Sequence, residues 1–337
     1  MGVGISDIIE SEEIDFDEME GRIIAIDAYN IIYQFLSSIR QRDGQPLKDS
    51  EGHVTSHLSG LLYRNASLIK KGVKLVYVFD GTPDIMKEGT LEKRKERKEK
   101  AKEEYEEALE KGDLEKARTK AQQTSRISEE IEESSKKLLD LLAIPWIQAP
   151  VEGESQAAYM VKEGDAWAVG GQDYDSLLFG APRLVKNLTI TGKRKMPGSD
   201  KYKEIKPELM VLEDILNDLE ITREQLIDIG ILCGTDYNGG VKGIGPKRGL
   251  KYVKKHGDLE GVLEEKDEEV NNHEAIKKIF LEPEVTDDYS IESKNELGEV
   301  KGFLCGERDF SESRVDSALD KIKEGFKKRE QTSLSSF

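Results

Sequence analysis

Cysteine and histidine are scarce in this chain, with two and four among 337 residues. Cys233 and Cys305 are too few for a disulfide framework, and neither has a partner at metal-ligand spacing. His53 and His57 stand four apart, yet no acid or cysteine completes a zinc set with them. Long apolar runs are also missing. No stretch reaches the ~18 residues that span a bilayer, and the N-terminus lacks the apolar core of a signal peptide. The expectation is a soluble protein of a reducing interior, cytoplasmic or associated with the nucleoid. Hydrophobic residues make up 36% and charged residues 35%, so much of the surface should be charged helix.

Net positive charge is lacking too. The formal charge of -17 argues on its face against a nucleic-acid partner, because phosphate binding runs on cations. Distribution tempers that argument. Acids concentrate in residues 10–20, 258–274 and 282–299, whereas Lys and Arg concentrate in 93–102 and 242–255. A locally basic track on an acidic body is expected.

What the chain does have is a set of seven placed carboxylates. Asp27, Asp80 and Asp173 follow the runs Arg22-Ile-Ile-Ala-Ile, Lys74-Leu-Val-Tyr-Val-Phe and Trp167-Ala-Val-Gly-Gly-Gln. Such runs read as buried parallel strands, and ligands in open α/β sheets sit outside the carboxyl ends of the strands. Ala149-Pro-Val-Glu-Gly-Glu, after the short strand Trp146-Ile-Gln148, puts Glu152 and Glu154 in the first turn of a helix. Asp175 stands in D-x-D spacing with Asp173, which places both on one side of an extended segment. Asp236 follows a helix read over Thr222–Leu232. Carboxylates gathered in one crevice repel and raise one another's pKa, which calls for a cation. Hard divalent ions take such oxygen donors.

Helices are read from Tyr29 to Ile39, with Ile31, Ile32, Phe35 and Leu36 inward, and from Thr55 to Lys70. From Met86 to Ser135 the chain is mainly Lys, Glu, Arg, Gln and Ala, broken at Lys111-Gly-Asp113. Two helices with so little apolar surface should project into solvent, their base beside the carboxylates. Gly243-Ile-Gly-Pro-Lys-Arg248 joins two further helices. Glycines there let a backbone approach a phosphate, and Lys247 and Arg248 oppose the helix dipole by roughly a few tenths of a kcal/mol unless an anion binds.

Together these motifs resemble the flap endonucleases, structure-specific 5′-nucleases, over nearly the whole chain and most clearly the archaeal type. The matching words are Ile26-Asp-Ala28, Tyr33-Gln-Phe-Leu36, Thr55-Ser-His-Leu58, Val78-Phe-Asp-Gly81, Ala149-Pro150 with Glu152 and Glu154, Asp173-x-Asp175, Leu232-Cys-Gly-Thr-Asp236 and Gly243 to Arg248. The resemblance implies an α/β fold with a central, mostly parallel twisted sheet, helices on both faces, a helical arch and a helix–two-turns–helix element. It implies one nuclease domain over 1–328: an N-terminal region 1–98, an arch near 86–135 and an internal nuclease region near 116–258 that includes residues 222–255. A flexible tail, 329–337, follows.

The same resemblance assigns roles. Asp27, Asp80, Glu152, Glu154, Asp173, Asp175 and Asp236 would hold two Mg2+ ions, with Mn2+ able to substitute. Lys87 and Arg94 would contact the scissile phosphate. Gly2, Tyr33, Thr55, Gly243, Gly245, Lys247 and Arg248 would meet DNA, with K+ at the glycine turn. Gln331, Leu334 and Phe337 look like a peptide for the sliding clamp (PCNA), although the family usually carries two adjacent aromatics there and this chain one. The expected activity is Mg2+-dependent cleavage of 5′ flaps in branched DNA by a monomer, in replication and repair. A 5′–3′ exonuclease or junction resolvase would share the acids. A non-catalytic clamp-tethered scaffold would show damaged acids, and none is damaged. A phosphatase of the haloacid dehalogenase type needs D-x-D at the first strand, which Asp27-Ala-Tyr29 lacks.

Overall fold

The computed structural model describes residues 2–82, 99–108, 111, 113, 119–122, 124–189, 192–195, 202–292 and 297–334, without side chains at 192–195, 202–204 and 330–334. Its first half contains β1 (Glu12–Glu13), β2 (Ile23–Asp27), α1 (Ala28–Ser38), α2 (Ser56–Lys70), β3 (Lys74–Phe79), α3 (Glu129–Leu141), β4 (Trp146–Gln148), α4 (Gly153–Glu163) and β5 (Ala168–Gly170). Then come α5 (Asp175–Leu178), β6 (Arg183–Lys186), β7 (Gly192–Lys195), β8 (Tyr202–Ile205), β9 (Glu208–Val211) and α6 (Leu212–Leu219). The chain continues through α7 (Arg223–Cys233), α8 (Pro246–His256), α9 (Leu259–Lys266), α10 (His273–Leu281) and α11 (Glu312–Leu334).

Among the described residues, seven strands form one sheet in the order β1-β9-β6-β5-β2-β3-β4, while β7 and β8 make a separate ribbon. The pairs among β2 to β6 are parallel, and β9 runs antiparallel to β6 and β1. Strand alternation splits the core in two. On β2 and β3, Ala25, Val76 and Val78 join the layer under α4, α7 and α10. Ile24, Ile26, Leu75, Tyr77 and Phe79 join the layer under α1, α2, α3 and α11. Because β2 lies between β3 and β5, the strand order reverses direction there, and the crevice at such a switch point is where ligands bind.

The sequence reading and the structure differ in four places. Strand β5 stops at Gly170, so Asp173 lies in a bend and Asp175 opens α5; the D-x-D segment is not extended. Part of the arch falls outside the described residues, but 99–108 and 119–122 are helical and bury Ala101, Ala108 and Ala121 at 3%, 1% and 1% exposure. These described parts are therefore packed, since alanine permits close approach without large apolar side chains. Residues 129–135, read as the arch's end, are the first half of α3, with Ile131 and Ser135 in the interior. Finally, α11 continues through Gln331 to Leu334 instead of giving way to a tail at 329. Among the described residues no helix is long and apolar enough to cross a membrane.

Candidate active site

Two strand ends and one helix start frame the site. Asp27 closes β2 and caps α1, accepting the Asn30 N–H at 3.1 Å, and this fixes the first turn over the crevice. The Asn30 side chain then donates to Asp173 Oδ2 at 2.7 Å. Asp80 directly follows β3, and its Oδ1 accepts the Gly153 N–H at 2.7 Å. Its carbonyl oxygen accepts from the Gln148 amide. Glu152 caps α4 by position and Glu154 sits in its first turn. The Tyr237 hydroxyl donates to Glu152 Oε1, bringing the loop that holds Asp236 against α4.

The N-terminal segment also reaches the site. The Val3 N–H donates to Asp175 Oδ1 at 2.7 Å. Gly2 permits this, because a Cβ there would lie 2.5 Å from Asp173 Cβ and 2.9 Å from Asp175 Oδ2.

Electrostatics tie the acids into one group. Burial, followed by the charges of Asp175, Asp27, Asp173 and Glu152, pushes the Glu154 carboxyl well above the usual range. Burial pushes Asp175 up to about 7; the Val3 N–H opposes the rise, and Asp236 and Asp173 add to it. Asp80 adds to the rise of the Tyr29 phenol, which burial and a hydrogen bond to Glu132 chiefly cause. Among the described residues no three His, Cys, Asp or Glu converge tightly enough to form a ready ligand set. The donor chemistry nevertheless fits hard divalent cations: all are oxygens, and their crowded charge is what a cation relieves.

The remaining expected residues are dispersed. Lys87, Arg94 and Phe337 lie outside the described residues. Tyr33 is half-buried on α1, within electrostatic range of Arg40. Thr55 precedes α2 and is only 5% exposed, which leaves little of it to meet DNA. Gly243 turns with φ +81°, Gly245 caps α8, Pro246 opens it, and Lys247 and Arg248 are exposed. Arg248 also donates to the Gly243 carbonyl at 2.8 Å, so it braces the turn. Gln331 and Leu334 lie on the last turns of α11.

Sequence reading missed Asn30, Gln148 and Tyr237. Asn30 and Tyr237 stand within three residues of an acid of the set, which is the one signal the sequence carried; Gln148 is joined to Asp80 only through pairing of β3 with β4.

Residues 1–101 match the XPG N-terminal domain and residues 143–236 the XPG I-region. The whole chain is 55% identical to flap endonuclease 1 of Pyrococcus abyssi, covering 98% of that protein. It is 51% identical to flap endonuclease 1 of Methanosarcina acetivorans over 98% of each chain. The solved flap endonuclease-1 from Methanococcus jannaschii is 43% identical and superposes with a TM-score of 0.77, over 97% of this chain and 100% of that one. The catalytic core of Rad2 in complex with DNA substrate shares the fold at a TM-score of 0.69 and 22% identity, over 96% and 100% of the two chains.

Proposed function

The chain belongs to the flap endonuclease family, and from that premise we propose that it cleaves 5′-flap DNA near the flap base by phosphodiester hydrolysis, in replication and repair. The observation that supports this reading most directly is the group of acids around Glu154 and Asp175, where desolvation and the charge of neighbouring carboxylates push both carboxyls up.

Asp27, Asp80, Glu152, Glu154, Asp173, Asp175 and Asp236 would hold two divalent ions, Mg2+ or Mn2+. Bound there, the ions supply water activation and neutralise charge on the reacting phosphate. The protein orients the carboxylates: Asn30 steers Asp173, the Val3 N–H steers Asp175, the Gly153 N–H steers Asp80, and Tyr237 steers Glu152. Lys87 and Arg94 are proposed to offset charge on the scissile phosphate. The turn from Gly243 to Arg248 would hold duplex backbone, with K+ at its carbonyls, and the exposed Lys247 suits phosphate contact. Gln331, Leu334 and Phe337 would seat in a groove of the sliding clamp (PCNA). The protein would act as a monomer.

The test is a labelled double-flap DNA, the matching single strand and a blunt duplex, each with Mg2+ or EDTA. Mg2+-dependent release of the intact flap, with the other two substrates spared, is expected. Stepwise loss of mononucleotides would make it an exonuclease, and binding without cleavage would make it a scaffold.

A further inference from the structure

A line of side chains connects the start of α1 to the main chain of Asp80 and extends the Gln148 contact of the site above through three further polar residues, Tyr29, Glu132 and Lys136. Tyr29 stands two residues after Asp27, and its hydroxyl donates to Glu132 Oε2 at 2.5 Å, joining positions 103 apart. Glu132 lies in the first turn of α3, one turn before Lys136. The Lys136 ammonium donates to Glu132 Oε1 at 2.6 Å and to Gln148 Oε1 at 2.7 Å. Gln148 ends β4, and its amide donates to the Asp80 carbonyl oxygen.

Aromatic rings flank the Tyr29 and Lys136 part of this line, whereas Gln148 at its end is exposed. Lys136 stands 4.8 Å from the ring centroids of both Phe79 and Trp146. Tyr29 meets Phe79 edge-on at 6.3 Å, and Phe79 meets Trp146 edge-on at 5.9 Å. An ion pair at i,i+4 on an open helix face has little effect and transmits nothing. Lys136 and Glu132 are instead 19% and 23% exposed, and each continues into another hydrogen bond, so displacing one member displaces the next.

We infer that Tyr29, Glu132, Lys136 and Gln148 are positioning residues that set the Asp80 main chain, and through it the Asp80 carboxylate, for divalent-metal binding. The inference rests on the metal-dependent nuclease reading. Gln148 holds the Asp80 carbonyl and the Gly153 N–H holds its carboxylate. The relay governs the first of these contacts. It also fastens α3, the helix by which the chain returns from the arch segment, to the strand ends bearing Asp27 and Asp80. Partners behind metal-binding carboxylates commonly change metal affinity by about 10- to 100-fold.

The test is a Mn2+ titration of the DNA-free protein followed by electron paramagnetic resonance, with thermal melting alongside. The proteins compared are wild type, Tyr29→Phe, Lys136→Met, Gln148→Leu and the Tyr29→Phe/Gln148→Leu double variant. Gln148→Leu and Lys136→Met should raise the weaker Mn2+ Kd about tenfold, and Tyr29→Phe should shift it less in the same direction. The double variant should bind Mn2+ no more weakly than Gln148→Leu alone, because both changes break one line. Unchanged Mn2+ affinity with a lowered melting temperature would reduce the four to scaffold residues and overturn the inference. Tyr29→Phe keeps the ring against Phe79 and stays informative if Lys136→Met fails to fold. A wild-type protein that binds no Mn2+ would refute the metal reading itself, and the relay with it.

Discussion

The Val3 main-chain N–H and the Asp175 carboxylate meet at 2.7 Å across 172 positions of sequence. The contact makes the N-terminal segment part of the site wall, with Gly2 against Asp173 and Asp175. Gly2→Val should therefore push both acids out of place. The expected result is a fall of roughly tenfold or more in single-turnover flap cleavage, with flap affinity in EDTA within a few-fold. Full activity in that variant would show that the wall is not needed.

Asp228, 1% exposed on α7, is paired with Lys277 of α10 at 2.9 Å. Burial raises the Asp228 carboxyl, while the hydrogen bond and charge of Lys277 lower it. Lys277→Met leaves the buried acid without its cation, which costs about 3 kcal/mol in comparable pairs. Urea unfolding should show this loss. Lys277→Met/Asp228→Leu, which removes both charges, should recover most of it.

His57 is 1% exposed and bonds Ser134 at 2.8 Å through Nε2. Burial, with a smaller effect of Arg308, lowers its pKa from 6.5 to about 3. The folded protein keeps His57 neutral while the unfolded chain protonates it below pH 6.5. Its contribution is therefore full above about pH 6.5 and is lost progressively as pH falls toward 3. The difference in urea stability between wild type and His57→Gln should shrink steadily from pH 7 to pH 4. A pH-independent difference would contradict this.

Legibility in the sequence followed chemistry that is local. Asp27 and Asp80 could be read because each follows an apolar run of the kind that forms a buried strand, and Glu152 and Glu154 because their motif directly follows the short strand Trp146-Ile-Gln148. The orientation of Asp173 and Asp175 was misjudged, since D-x-D spacing carries no sign that β5 stops at Gly170 and the chain turns into α5. The β7–β8 ribbon was unseen because Gly192-Lys-Arg-Lys195 has no apolar alternation to mark a strand. The contacts of Tyr29 with Glu132 and of Val3 with Asp175 join residues more than a hundred positions apart. No residue pattern encodes that pairing; it is set by the sheet order.

The central claim is that this group of carboxylates performs metal-dependent flap cleavage without being needed to hold the DNA. Single-turnover cleavage of a double-flap DNA in Mg2+, beside its binding by anisotropy in EDTA, tests it in wild type and Asp175→Ala. The account predicts that Asp175→Ala binds the flap within a few-fold of wild type and does not cut it. Cleavage at the wild-type rate by Asp175→Ala would contradict it.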